Sequence, residues 1–144
     1  MFTVVATRDI SRPVSEVFAF AGDNRNDPAW RKGVISMSYE NAESPRVGVR
    51  TREAMRSMGM EHLIIAEIVE LTPDRRTAFR TLSGPVQCDG FREFMQIPSG
   101  TRFTCSLTLR PSGFWRLLEP VLKSLFAKQI KADVEILRTY LESR

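Results

Sequence analysis

The sequence predicts an α+β domain in which a curved antiparallel sheet of seven strands closes around one long C-terminal helix. Three observations carry this reading. One strand-like segment is followed by two short helical ones and then by a run of six strands. Hairpin-length connections rich in Gly, Pro, Ser, Asn and Asp separate the strands of that run, which makes it antiparallel. A single long apolar stripe closes the chain, and one helix can bury the inner face of such a sheet only if the sheet curls around it. At 144 residues the chain has the usual size of one domain, so residues 1–144 are read as a single unit.

Residues 2–10 are β-branched and partly alternating and give the first strand. Ser11-Arg12-Pro13 breaks it, and Pro13 suits the first turn of a helix, where its missing N–H matters least. Val14, Val17, Phe18 and Ala21 follow at helical spacing, so residues 13–21 form a short amphipathic helix that Gly22 ends. A second short helix is expected between Asp23 and Trp30. Strands follow at Val34–Glu40, Val47–Arg56, 60–71, Arg76–Leu82, Gln87–Ile97 and Thr101–Arg110. Their breaks fall at Asn41–Pro45, a flexible turn at residues 57–59, Thr72-Pro73-Asp74, Ser83-Gly84-Pro85, Pro98-Ser99-Gly100 and Pro111-Ser112-Gly113. From Phe114 onward apolar residues recur at steps of three and four, through Leu118, Leu122, Leu125, Phe126, Ile130, Val134, Leu137 and Leu141. Pro120 inside this pattern predicts a kink or a short preceding segment. Trp30 and Trp115 read as packing anchors.

Composition narrows the function classes. The chain is 42% hydrophobic and 26% charged, a globular balance. No apolar run approaches the roughly 18 residues of a membrane span. The opening residues lack a basic region followed by an apolar stretch, so a cytoplasmic location is expected. The net charge of +4 allows an anionic partner, but the basic residues are dispersed and no RNA-binding aromatic signature accompanies them, so no nucleic acid is expected. Cys88 and Cys105 have no metal-ligand spacing and read as buried free thiols, although neighbouring strands would permit a disulfide. With one histidine, no second ligand pair exists, and neither a metal nor a cofactor is expected. There is no GxSxG elbow, P-loop or GxGxxG segment.

Three stretches then point to a family. They are Ile10-Ser-Arg-Pro-Val-Ser-Glu-Val-Phe18 with Pro28-Ala-Trp30 downstream, Ile68-Val-Glu-Leu-Thr-Pro-Asp-Arg-Arg76 with Ala78-Phe79-Arg80, and Gly100-Thr101 leading into Phe103–Leu107 and the last helix. In order and spacing the chain resembles the polyketide cyclase/dehydrase and lipid-transport group of the START-like superfamily (SRPBCC), which includes birch-pollen-allergen type proteins. The resemblance spans nearly the whole chain. It implies the helix-grip fold and a deep cavity between sheet and helix that takes apolar or aromatic ligands. It implies no particular activity, since members bind, carry, cyclise or sense their ligands.

Alternation proposes the wall of that cavity. Val49, Thr51, Glu53 and Met55 share one face of their strand, and His62, Ile64, Ala66 and Ile68 one face of the next. Phe103, Cys105, Leu107 and Leu109 do so on the last strand, with Phe79, Thr81 and Phe94 between. Leu118, Leu122, Leu125 and Phe126 of the helix would close the volume. Two titratable groups fall on this wall. His62 is either a general acid or base or a half-exposed strand histidine. Glu53 is either a buried proton-transfer group or a surface carboxylate paired with a neighbouring arginine. The first expectation is binding or carriage of a small hydrophobic molecule without chemistry. The alternatives are a polyketide cyclase, aromatase or dehydratase using Glu53 or His62, and an interaction protein with a basic face. The sequence is compatible with a monomer or a homodimer.

Overall fold

Alternation at the N-terminus buries Phe2, Val4 and Ala6 on one face, with Ile10 joining them, and β1 runs Phe2–Ile10. The computed structural model describes residues 1–57 and 59–144. After β1 come α1 (Val14–Ala21), a 3₁₀ helix (Asn24–Ala29) and the strands β2 (Val34–Tyr39), β3 (Arg50–Ser57), β4 (Met60–Thr72), β5 (Arg76–Ser83), β6 (Gln87–Ile97) and β7 (Gly100–Arg110). Two helices close the chain, α2 (Phe114–Leu117) and α3 (Glu119–Glu142). The seven strands form one antiparallel sheet in the order β1-β7-β6-β5-β4-β3-β2. Register shifts in β2 near Val34 and in β4 near Ile65 and Ile68 add local twist and help the sheet curl. This is the helix-grip architecture.

Strands β1 and β2 are consecutive in the chain but lie at opposite edges of the sheet. The segment between them must therefore cross the whole sheet, and α1 with the 3₁₀ helix makes that crossing. Asp23 starts the 3₁₀ helix by accepting from the Arg25 N–H at 3.0 Å. Gly100 opens β7 at φ +143°, and a Cβ there would lie 2.2 Å from the Ile10 carbonyl oxygen. That contact is with backbone, so glycine is required where the β6–β7 hairpin meets the end of β1.

Several boundaries differ from those the sequence predicts. The strand expected from Val47 begins at Arg50, because Gly48 adopts φ +93° and turns the chain. The second short helix is 3₁₀ rather than α. The short segment that Pro120 predicts is α2: the chain breaks at Leu118, and α3 starts at Glu119 with Pro120 in its first turn. Trp115 does not anchor packing but is 42% exposed, because α2 packs few of its side chains. The turn expected at residues 57–59 includes Met58, which lies outside the described residues.

The core is lopsided. Helix α3 runs along β1, and Ile130, Val134, Leu137 and Leu141 are buried there with Val4, Ala6 and Ile10. An aromatic chain extends it inward: Phe18 meets Phe94 at 5.1 Å, Phe94 meets Phe103 at 5.2 Å, and Trp30 meets Phe103 edge-on at 6.0 Å. Val49 in the loop before β3 and Ala66 and Ile68 on β4 are buried too, yet they stand outside this contiguous core. The asymmetry predicts the response of α3 to truncation. Leu137→Ala, at a fully buried site, should cost about 2–5 kcal/mol. Leu125→Ala, at a side chain 53% exposed, should change stability by less than about 0.5 kcal/mol. Urea unfolding of the two variants measures the contrast.

Candidate functional site

Strand register assembles the inner wall. Opposed pairs in an antiparallel sheet share a face, and the pairs Thr51↔Ala66, Glu53↔Ile64, Met55↔His62, Ala66↔Thr81 and Ile68↔Phe79 carry it from β3 to β5. The pairs Phe79↔Gly90, Gly90↔Leu107, Arg92↔Cys105 and Phe94↔Phe103 continue it to β7. Val49, Thr51, Glu53, Thr81, Phe94, Phe103 and Cys105 are buried, whereas Met55, His62, Ile64, Phe79 and Leu107 are partly open to solvent. From the helices, Leu122 is buried, Leu118 and Phe126 are half-buried against the core, and Leu125 is exposed. Gly90 makes room for an aromatic side chain, since a Cβ there would meet the Phe79 ring at 2.4 Å and Leu107 at 2.9 Å.

Two hollows flank the sheet, and the lining of neither includes a residue of α3. A cavity of about 10 Å³ sits where Gly22 and Asn24 meet Ile68, Thr77, Phe79 and Arg92. A depression of about 380 Å³ lies on the outer sheet face around Arg76 and Phe91. Solvent reaches Met55, His62, Ile64 and Phe79 on the inner wall, which leaves an open trough along its β3–β5 half.

A buried ion cluster stands at one end of the wall. Arg92 donates to both carboxylate oxygens of Asp27, at 2.9 and 2.7 Å, and to the Ala21 carbonyl at 2.9 Å. Arg31 donates through Nη1 to Asp27 at 3.0 Å and to Glu53 at 2.6 Å. Two carboxylates and two guanidiniums thus cancel, which is the condition for keeping four charges out of water. Burial works against the charge on Arg31, but the attraction of Glu53 and Asp27 outweighs it and holds the guanidinium firmly protonated. Arg31 Nη2 and Nε make no hydrogen bond among the described residues, and neither atom is sealed from solvent. They are donors left without a protein acceptor.

Asp133 adds a carboxylate from α3. Its Oδ1 accepts from the Lys32 N–H at 3.2 Å and from Gln129 Nε2 at 2.7 Å. Burial pushes its pKa above the ordinary carboxylate range, against the pull of those hydrogen bonds and of Arg31. The thiols offer no nucleophile: both cysteines are free, and burial pushes Cys88 up to about 12 and also raises Cys105. Among the described residues no three His, Cys, Asp or Glu side chains gather as metal ligands would.

The structure brings Glu53 onto the wall as one half of an ion pair with Arg31 and leaves His62 half-exposed near the open side. Sequence reasoning missed Asp27, Arg31, Arg92 and Asp133. Two of them carried a readable signal. Arg92 alternates in phase with Phe94 along β6, and Asp133 falls between Ile130 and Val134 on the apolar stripe of α3. Asp27 and Arg31 lie in and just after the 3₁₀ helix, where no periodicity exposes them.

Two outcomes follow from this electrostatics. Asp27→Ala leaves Arg92 and Arg31 without their shared carboxylate and should cost about 3–5 kcal/mol in chemical denaturation. Asp133→Asn keeps an acceptor for Lys32 and Gln129 but removes the charge. Because the folded-state pKa of Asp133 is raised, its contribution is intact at low pH and lost as pH rises through that value. The variant should therefore melt above wild type near neutral pH, and the difference should vanish toward about pH 3.

Comparison with known proteins agrees with this fold. No curated protein matches the chain in sequence. Among solved structures, TTHA0849 from Thermus thermophilus superposes with a TM-score of 0.84 at 23% identity, covering 99% of this chain and 98% of that one. The ZhuI aromatase/cyclase from a Streptomyces species gives 0.80 at 16% identity, with 99% and 94% covered. A START superfamily protein from Mycobacterium smegmatis gives 0.78 at 13% identity, with 98% and 97% covered. At these identities the likeness is one of fold. The family model described as polyketide cyclase / dehydrase and lipid transport matches residues 1–142, and the chain belongs to that family.

Proposed function

We propose that this protein binds a small, largely apolar molecule bearing an oxygen function in the trough between its inner sheet wall and the first half of α3, and holds it without covalent change. One observation carries the reading. The contiguous core is built from β1, β6, β7, α1 and α3, while the β3–β5 half of the inner wall stands outside it. That half presents Thr51, Met55, Ile64, Ala66, Phe79 and Thr81, an apolar surface with two hydroxyls. Arg31 Nε and Nη2 would give the ligand oxygen its hydrogen bonds. Glu53 is already engaged by Arg31, which argues against its service as a free base.

A chemical reading is favoured by one feature, the burial of Asp133, which raises its carboxyl above the ordinary value. It predicts pH-dependent turnover that Asp133→Asn abolishes. Roles for Glu53 or His62 would show as turnover lost in Glu53→Gln or His62→Ala.

The binding reading is tested with the neutral dye phenylnaphthylamine and by native mass spectrometry of freshly purified protein. The dye should bind one to one, and Phe79→Ala and Met55→Trp should each weaken it roughly tenfold, about 1.4 kcal/mol. Met55 is only partly buried, so that variant should keep a near wild-type melting temperature. A releasable extra mass supports the reading. A clean mass together with dye binding that is absent, or indifferent to both substitutions, overturns it.

A further inference from the structure

We propose that α2 and the first two turns of α3 dock this protein on an anionic lipid surface. Phe114, Trp115, Leu117, Val121 and Leu125 are between 42% and 79% exposed, five large apolar side chains within 12 residues of chain. Phe114 and Trp115 meet edge-on at 5.9 Å and form the aromatic end of the patch. Val121 and Leu125 lie one turn apart on a flank of α3 beside the buried Leu122. This apolar surface exceeds what the core uses, because Leu122 alone of the first two turns is buried.

The charge around the patch decides its occupant. Arg116, Lys123 and Lys128 are exposed and form no ion pair among the described residues. Glu119, the one acidic residue between Phe114 and Ala132, is taken by the Met1 α-amino group at 2.8 Å. Lys128 follows Leu125 on the same flank of the helix. A two-fold contact between copies would set these like charges against each other, whereas lipid phosphates complement them. A tryptophan and phenylalanine beside leucines, rimmed by lysine and arginine, suit the boundary between headgroups and acyl chains. No described helix is long and apolar enough to cross a membrane, so the contact is at the surface.

The inference stands apart from the ligand reading, because its test needs no ligand and the dye test needs no membrane. Wild-type protein is floated with vesicles of phosphatidylcholine alone and with vesicles carrying about 30% phosphatidylglycerol. Binding to the anionic vesicles should be roughly tenfold tighter or more and should fall as salt is added. Trp115 emission should shift to shorter wavelength and escape a water-soluble quencher, with buried Trp30 a constant background. Phe114→Glu with Leu117→Glu, both at exposed sites of α2, should keep the melting temperature and phenylnaphthylamine affinity and lose flotation. Absence of flotation with anionic vesicles, or flotation undiminished in the double variant, overturns the proposal. So does a dimer in sedimentation velocity that the double variant dissociates, since a second copy would then cover the patch.

Discussion

Asp27 is the point on which the arrangement turns. The chain must travel from β1 at one edge of the sheet to β2 at the other, and the crossing segment has little regular structure of its own. A 3₁₀ helix of six residues cannot hold its position by backbone hydrogen bonding alone. Its fully buried Asp27 binds Arg92 of β6, and through Arg31 it reaches Glu53 of β3. Four residues therefore tie the crossing to two strands, β6 and β3, that are not neighbours in the sheet. The pairing also explains Trp30. With the Arg92 guanidinium 4.9 Å from its ring and Phe103 against its edge, the indole is fixed over the aromatic core.

Helix α3 divides into two halves with different work. Its second half is a core element: Ile130, Val134, Leu137 and Leu141 are buried along β1. Its first half keeps Leu122 buried but exposes Val121 and Leu125. The break at Leu118 and the proline that follows release α2 from the line of the helix, so Trp115 and Leu117 gain no cover from the sheet. The half that stabilises the fold is thus separated from the half that faces the trough and solvent. Changes in the first half can alter what the protein touches at little cost to its stability.

The fold was legible because its signals are periodic. The alternation Phe103, Cys105, Leu107, Leu109 and the three-four stripe from Leu118 to Leu141 read directly as a strand face and a helix face. The antiparallel run of six strands then followed from short hairpins, whereas the pairing of β1 with β7 has no such local signal. What escaped was aperiodic or polar. Gly48 delays the start of β3, which the β-branched residues around it place at Val47. The stripe that opens at Phe114 does not reveal that its first turn has nothing to pack against. The ion cluster escaped because it joins residues 65 positions apart, Asp27 and Arg92, through space alone. Glu53 was visible on the correct face, but its partner was Arg31, two elements earlier in the chain.

The polar groups of the wall bear on what the trough can hold. Apart from Arg31 the trough's donors are hydroxyls, and Arg31 spends only Nη1 on protein acceptors. Its charge is already balanced by Asp27 and Glu53, so a fully ionised ligand head would add an uncompensated charge beside Asp133. A neutral oxygen, a ketone or a phenol, takes the free N–H groups without that cost. On the proposed binding role, the free N–H groups of Arg31, balanced charge and an apolar β3–β5 face would favour molecules with few acceptors and much hydrocarbon. On this account, ligand choice rests on the same Arg31 and Asp27 that hold the crossing segment in place.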